Sequence, residues 1–506
     1  MDHGADIWMV RLEPAAAPQI NHPLGFMQLA AVLRRAGWWN LRIIDIPAAG
    51  IPWRTVLAAA RRDQPPVVFL TAHTVDMPNI RRFSAALADA APGTCQVVGG
   101  PHPTGDPLGT LRGAPALRAA VIGEGDETVL DLMEALEPDG DGGLEEVAGI
   151  AWRRRDGELV SNPLRPLMPT LDDDLWPAYD LVDLPAYFRR SRMGVLYKHP
   201  RYMTLFTSRG CTHGCTFCHE VFGRIWRPHS PERVLDEIEV LVRRHGIREL
   251  QIADDLFNGA RPRTLAICEG IARRGLDVAI CFPNGLRADR LRPEEIEALH
   301  RAGTWRVCVS PETATPRLQV QVGKHNDLGR IREAIHGFVR RRVLTSGFFM
   351  IGFPSETEDE LDATIRWALE SELHTANFFR VIPFPGCRLR DQAIRAGLDV
   401  EELDQAYEGA GSSFNLSTLP DELIERRHRE AMRAFYGDPQ RLARLARVLP
   451  RHPGLWPAYL EEAAVRVGIG TNWPQLVGKL QGPGGGISSL WSWLRTGDAH
   501  RGIRAP

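Results

Sequence analysis

Short apolar runs that alternate with stretches of helical period restrict the fold of this chain more than any other feature. Strand-like runs occur at IWMVRL (7–12), LRIIDI (41–46), VVFLTA (67–72), CQVVGG (95–100) and RAAVIG (118–123). Segments with a helical apolar period fall between and after them, at 24–36, 53–62, 78–90, 107–113 and 126–136. Strands joined through helices return parallel to one another, and the helices cover both faces of the sheet. Residues 1–140 are therefore expected to form an α/β, doubly wound, Rossmann-like domain. The alternation resumes downstream. Strands are expected near 202–207, 248–253, 278–282, 305–310, 346–351 and 377–382, with helices near 231–244, 263–274, 293–302, 327–341 and 356–370. In barrels of this kind the chemistry sits at the carboxyl ends of the strands.

The remaining stretches read differently. Residues 141–198 are expected to be a hairpin and a linker: GIAWRRRDGELVS (149–161) turns at Asp156-Gly157, and five prolines follow between 163 and 185. Trp176 and Tyr179 would pack this linker on the next domain, and Asp172-Asp173-Asp174 reads as a solvated turn. Residues 387–506 are expected to be a helical C-terminal domain, from the periodicity at 386–398 and 423–449 with its Arg-rich faces. The Gly-rich and aromatic end, from 482 onward, carries no readable function.

A chain of 506 residues is too long for a single core and implies about three domains. Lys plus Arg (61) nearly balances Asp plus Glu (63), so the overall charge gives no sign of a nucleic-acid partner. No apolar run approaches the roughly 20 residues needed to cross a bilayer, and no secretory signal precedes the first strand. Eight cysteines in this length are not a disulfide scaffold. Cys95, Cys268, Cys281, Cys308 and Cys387 are scattered in apolar company and are expected to be reduced, which suits a cytoplasmic protein.

The other three cysteines are not scattered. RGCTHGCTFC (209–218) follows the run Tyr202-Met203-Thr204-Leu205-Phe206 and places Cys211, Cys215 and Cys218 in a C-x3-C-x2-C pattern on one loop. Three close thiolates suit a soft metal centre. One reading is a zinc site with His213 or His229 as fourth ligand. The other is an iron–sulfur cluster with one iron left open.

This pattern, with an aromatic (Phe217) before the last cysteine, resembles the signature of the radical S-adenosylmethionine (SAM) superfamily. The resemblance implies a [4Fe-4S] cluster held by Cys211, Cys215 and Cys218 and a partial, TIM-like (β/α)6 barrel over 199–386. It also implies that SAM is bound on the open iron and reductively cleaved to a 5′-deoxyadenosyl radical. SAM contacts are expected from Phe217, from Asp254 and Asp255 after strand two, from Arg287 after strand three and from Glu312 at the end of strand four. Pro311 departs from the usual strand-four pattern. The turns Gly352-Phe353-Pro354-Ser355-Glu356-Thr357 and Pro383-Phe384-Pro385-Gly386 are similar to those after strands five and six in this family.

The first domain extends the likeness. PLGFMQLAAVLRRAGW (23–38), TAHTVDM (71–77), VVGGPHPT (97–104) and IGEGDETV (122–129), ahead of the cysteine motif, resemble the cobalamin-binding domain of cobalamin-dependent radical SAM enzymes. Cobalamin contacts are expected at Thr71, Gly99, Gly100, Gly123, Glu124 and Gly125. The D-x-H-x-x-G run that supplies an axial histidine in other cobalamin proteins is absent. The expected form is thus base-off without a histidine ligand, His73 and His102 serving local hydrogen bonds. The family implies a small-molecule substrate and a reducing partner such as flavodoxin or ferredoxin. Methyl transfer to an unreactive carbon is the expected outcome, with oxidative cyclisation or rearrangement as the rival on the same scaffold. A zinc or iron–sulfur module that binds a partner is the non-enzymatic rival. For a methyl group to reach a substrate radical, the carboxyl ends of the two sheets must face each other.

Overall fold

The computed structural model describes residues 3–12, 21–136, 143–172, 175–189, 196–399 and 415–449. Asp173, Asp174 and the segment from 482 onward lie outside the described residues. Among the described residues no helix is long and apolar enough to cross a membrane.

The first sheet contains β1 (Ile7–Arg11), β2 (Leu41–Asp45), β3 (Val67–Thr71), β4 (Cys95–Gly99), β5 (Ala119–Val121), β6 (Ile150–Arg153) and β7 (Leu159–Ser161). Their spatial order is β2-β1-β3-β4-β5-β6-β7. The first five are parallel, as expected, and β6 and β7 continue antiparallel from β5. Alternation along β1 explains why it is apolar throughout. Ile7 and Met9 enter the core on one face, Trp8 and Val10 the core on the other, and all four are buried. The hairpin at 149–161 therefore does not stand in a connector. It extends the first sheet, because the apolar side chains of β6 and the Trp152 ring need the same two cores. One expected loop is also helical: Pro101–Gly105, after β4, forms a short helix.

The second sheet has the order β15-β14-β13-β12-β11-β8 and is parallel throughout. Its strands are β8 (Tyr202–Leu205), β11 (Glu249–Ile252), β12 (Ala279–Leu286), β13 (Thr304–Glu312), β14 (Leu344–Ile351) and β15 (Thr375–Arg380). Sequential order with no return from β15 to β8 makes a partial barrel. The two-stranded ribbon of β9 (Ser208–Arg209) and β10 (Arg227–Pro228) encloses the cysteine loop. Helix starts follow from local chemistry. Ser230 caps Pro231–Arg243 by accepting from Arg233 N, and Thr357 and Glu360 form a capping box on Glu358–Glu370.

The linker packs as its aromatics predict. Tyr179 is buried and donates to Glu237, which also binds Arg233; the Arg233 guanidinium lies 5.4 Å from the centre of the Trp176 ring. Asp172 is not merely solvated, since it accepts from Ser230 N at 2.7 Å. Beyond the barrel, the pattern at 423–449 is broken into two helices, Asp421–Gly437 and Pro439–Val448, because Pro439 cannot continue the first. Tyr436 OH exchanges hydrogen bonds with Ala376 N and O and thereby covers the free edge of β15. Not every arginine there is exposed. Arg441 is buried, 3.7 Å from the Phe435 ring centre, and donates to carbonyls of Leu369 and Leu373.

Candidate active site between two sheet ends

Loops from the carboxyl ends of both sheets meet at one cavity of 390 Å³. Thr104, Gly105 and Gly123 contribute from the first sheet, and His219, Val221 and Pro385 from the barrel. The approach is close: a Cβ on Gly105 would stand 2.3 Å from the Pro385 carbonyl oxygen. Two buried ion pairs fix it. Arg227 grips Glu124 at 2.6 and 2.9 Å, and Arg209 grips Asp126 at 2.8 and 3.1 Å. Paired forks satisfy both partners of a buried pair, which is the condition for placing four charges out of water.

The first sheet's mouth is built from backbone. Gly100 has φ +107°, and a Cβ there would lie 2.9 Å from Ala72 O and 3.0 Å from Thr71 Oγ1. Only glycine fits that turn without strain. Thr104 ties the two glycine turns together, donating to Gly100 O at 2.9 Å and accepting from Gly123 N at 3.0 Å. Of the positions expected at this site, Gly123 and Glu124 line the cavity, whereas Thr71, Gly99, Gly100 and Gly125 do not. Glu124 is not free to receive a ligand, because both its oxygens face Arg227. His102 is buried with Nδ1 3.2 Å from Thr74 Oγ1, and His73 Nδ1 lies 3.3 Å from Asp76.

The barrel's mouth is built from charge and sulfur. The cysteine loop leaves β9, and its backbone is held by Cys211 N on Gly223 O, Cys218 N on Cys215 O and Thr216 N on Val322 O. None of the eight cysteines is in a disulfide. Burial pushes the Cys218 thiol up to about 12, with negative charge on Cys215, Asp255 and Cys211 adding to it. Burial also raises Cys215, again with contributions from Glu312 and Cys211, against the lowering effect of Lys324. The three sulfurs thus share one electrostatic neighbourhood, which a multivalent metal centre would neutralise. Among the described residues, no three His, Cys, Asp or Glu side chains converge on a point suited to a single ion. Burial, and then Arg233 and Arg209, lower His229 to about 3. His213 is lowered to about 4 by burial and by Arg287, Arg290 and Lys324. The loop fits a cluster, in which each thiolate takes its own iron.

Asp254 does not face the mouth. It is buried and accepts from Thr207 N, Thr207 Oγ1 and Ser208 Oγ, all at 2.6 Å. Three donors consume both oxygens, so Asp254 braces the strand end below the cysteine loop and does not stand as a ligand group. Phe217 likewise packs inward, its ring centre 6.1 Å from that of Phe353. Asp255 and Arg287 do come together, lining a cavity of 50 Å³ with Asn284, Ser310, Lys324 and Asn326. Asp255 is open to that mouth by surface area yet ringed by protein, and loss of hydration raises its carboxyl. Arg287 is part-committed to Asp289 at 2.7 and 2.9 Å.

Glu312 adopts φ +63°, a left-handed conformation rarely used by residues other than glycine. The register of β13 shifts between Val309 and Glu312, where Pro311 cannot donate to the ladder. Asn326 and Gln319 hold the displaced carbonyls of Ser310, Pro311 and Thr313. Glu312 then pairs with Lys324 at 3.0 Å. Lys324 has a raised pKa: burial acts against its charge, and Glu312 and Cys215 outweigh it. Lys324 and Asn326 escaped the sequence reading, which looked only at residues directly after strands; a short helix, Pro316–Gln321, separates them from β13. Glu356 also differs from expectation. It precedes its helix and curls back to accept from Gly352 N and Phe353 N at 2.5 and 3.2 Å.

The ends of two sheets meet, one of close-packed backbone at the 390 Å³ cavity and the other with Asp255, Arg287 and Lys324 around a separate cavity of 50 Å³ beside the cysteine loop. The family model for the B12 binding domain matches residues 15–133, and that for the radical SAM superfamily matches 205–368. The chain is 30% identical over 420 residues to an uncharacterized methyltransferase of Pyrococcus horikoshii, covering 83% of this chain and 88% of that one. It belongs to the cobalamin-dependent radical SAM enzymes, whose cofactors are cobalamin, a [4Fe-4S] cluster and SAM. It is also 28% identical to the cytidylyl-2-hydroxyethylphosphonate methyltransferase of Streptomyces wedmorensis, over 76% of this chain and 80% of that one. Its fold is similar to that of the radical enzyme OxsB with aqua-cobalamin and SAM bound, at a TM-score of 0.69 and 17% identity, covering 98% of this chain and 76% of that one.

Proposed function

We propose that this enzyme methylates an unactivated carbon of a small-molecule substrate, in a reducing cytoplasm that suits cysteines outside disulfides. The observation that carries the reading is the shared cavity, lined both by Gly123 of one sheet and by His219, next to Cys218, of the other. When bound, the cluster supplies the electron that cleaves SAM to a radical, and cobalamin supplies the methyl group. Residues 1–140 would hold cobalamin, with Gly100, Gly123 and Thr104 shaping a backbone cradle for a flat ring and no histidine below it. Within 199–386, Cys211, Cys215 and Cys218 would hold the cluster. Asp255, Arg287 and Lys324, which line one cavity, would supply the charges that hold the amino and carboxylate groups of SAM. Asp254, through Thr207 and Ser208, would hold the loop in place.

Methyl transfer is supported by the two methyltransferases, of which the first shares 30% identity over 83% of this chain; cyclisation stays the rival, because an anaerobic magnesium-protoporphyrin IX monomethyl ester cyclase of Cereibacter sphaeroides is 28% identical over 73% of this chain. The test uses SAM carrying a deuterated methyl group and candidate substrates under reducing conditions. The product is expected to gain that methyl intact, with S-adenosylhomocysteine and 5′-deoxyadenosine formed in equal amounts once uncoupled cleavage is subtracted. Turnover that yields 5′-deoxyadenosine without S-adenosylhomocysteine rejects methylation and favours cyclisation or rearrangement.

A further inference from the structure

Arg263, in the first turn of the helix Arg261–Arg273, lines neither the 390 Å³ cavity nor the 50 Å³ one, and it is buried. Its guanidinium donates to main-chain carbonyls of three separate segments. Nη2 bonds Thr207 O at 2.6 Å, Nε bonds His229 O at 2.8 Å and Nη1 bonds Phe257 O at 3.4 Å. The rings of Trp226 and Phe257 stand beside it, each centred 5.8 Å from the guanidinium carbon. Burial lowers the Arg263 pKa, and the charge of Asp254 opposes that fall. Asp254 and Arg263 hold one residue in common. Thr207 gives its N–H and its hydroxyl to Asp254, and its carbonyl accepts from Arg263, each bond being 2.6 Å long.

The three segments belong to parts of the site that have to stay in register. Thr207 directly precedes β9 and His229 directly follows β10, the ribbon that encloses Cys211, Cys215 and Cys218, and His229 N donates to Thr207 O at 3.0 Å. Phe257 lies in the turn after β11, two residues beyond Asp255. That turn has two further fastenings. Trp226 Nε1 donates to Leu256 O at 2.7 Å, and Asn258 exchanges hydrogen bonds of 3.0 Å with the main chain of Arg287. The turn is therefore tied on one side to the cysteine ribbon and on the other to Arg287, which shares the 50 Å³ cavity with Asp255. A planar guanidinium can fix three acceptors at once, whereas an ammonium concentrates its donors on one nitrogen. The inference rests on the reading above, in which the cysteines hold a cluster and Asp255, Arg287 and Lys324 hold SAM. We propose that Arg263 is a positioning residue for reductive cleavage: by riveting the cysteine ribbon to the turn of Asp255, it sets where the charged groups that hold SAM stand relative to the cluster.

The test is Arg263→Lys in the full-length, cluster-loaded protein, which keeps the charge and removes the grip on three carbonyls. The four-iron chromophore is expected to remain. SAM affinity per cluster, measured by equilibrium dialysis without turnover, is expected to weaken by about tenfold. The change that SAM induces in the electron paramagnetic resonance spectrum of the reduced cluster is expected to differ from wild type at saturating SAM. Formation of 5′-deoxyadenosine per cluster, with dithionite as reductant, is expected to fall by about tenfold to a hundredfold. Trp226→Phe keeps a ring beside Arg263 and loses the bond to Leu256 O, so it should move SAM affinity and cleavage the same way by roughly threefold. A merely structural Arg263 gives the opposite pattern: less cluster per chain, with SAM affinity, the SAM-induced spectrum and cleavage per cluster all at wild-type values. That result overturns the proposal. If Arg263→Lys loads no cluster, Trp226→Phe is judged by the same readouts, and wild-type values per cluster overturn the proposal there too. A wild-type protein with no four-iron chromophore, or one whose cluster spectrum is indifferent to SAM, would instead sink the underlying reading.

Discussion

The carboxyl ends of this enzyme's two sheets are made by opposite means. On the first sheet, the turns after β4 and β5 are glycine, proline and threonine, and their geometry is held by main-chain hydrogen bonds and by Thr104. On the barrel, the corresponding turns carry three thiols, Asp255, Arg287, Lys324 and Glu312. The difference matches the ligands of the family. A broad, flat ring needs close approach of backbone, which side chains obstruct. A cluster and a zwitterionic cofactor need charges placed in a site poor in water. The charges that the first sheet does own, Glu124 and Asp126, are spent on Arg227 and Arg209 to hold the mouths together.

The largest expected effect separates the two mouths outright. Cys218→Ala, and likewise Cys211→Ala or Cys215→Ala, should abolish the four-iron chromophore and reductive SAM cleavage while corrinoid binding persists. Cys268→Ala and Cys308→Ala, deep in the barrel core, should leave the cluster in place. Absorption spectra and 5′-deoxyadenosine release decide this, and wild-type release by Cys218→Ala would refute the site.

The converse variant strikes the backbone mouth. Gly100→Ala forces a Cβ against Ala72 O at φ +107°, a strain of about 1–3 kcal/mol. Corrinoid affinity should fall by roughly tenfold to a hundredfold, with the cluster spectrum unchanged. Equal loss of cluster and corrinoid would mean that the mouths are one cooperative unit and not two.

The smallest expected effect tests the barrel's turn after β14. Burial raises Glu356 from its ordinary 4.5 to about 7, against the lowering effect of its hydrogen bonds from Gly352 and Phe353. Between those two values the unfolded chain holds fewer protons at this site than the folded one, so stability falls as pH rises through the window. Glu356→Gln keeps the acceptor and removes the titration. Its thermal midpoint should gain on wild type between pH 5 and pH 8, by at most roughly 3 kcal/mol in equivalent stability. A difference that is flat across this range would show that Glu356 does not carry the proton.

Much of this molecule is legible in its residues one after another. The continuous apolar run in IWMVR, the apolar faces of the helices and the proline and serine caps are local properties, so strands, helices and their parallel arrangement follow from them. The C-x3-C-x2-C loop is equally local, because three thiols seven residues apart at most cannot stray far from one another. Tertiary structure decided what each polar group near the site is for. Asp254 and Asp255 are neighbours in sequence, yet strand geometry sends one inward to three donors and the other to the mouth. Glu124 reads as a ligand of the first sheet until β10 brings Arg227 against it from 103 residues away. Lys324 enters the site only because a helix after β13 folds back over Glu312. A sequence states which groups a chain owns, but a buried carboxylate or ammonium is settled by the partner it finds across space, since leaving it unpaired away from water costs several kcal/mol.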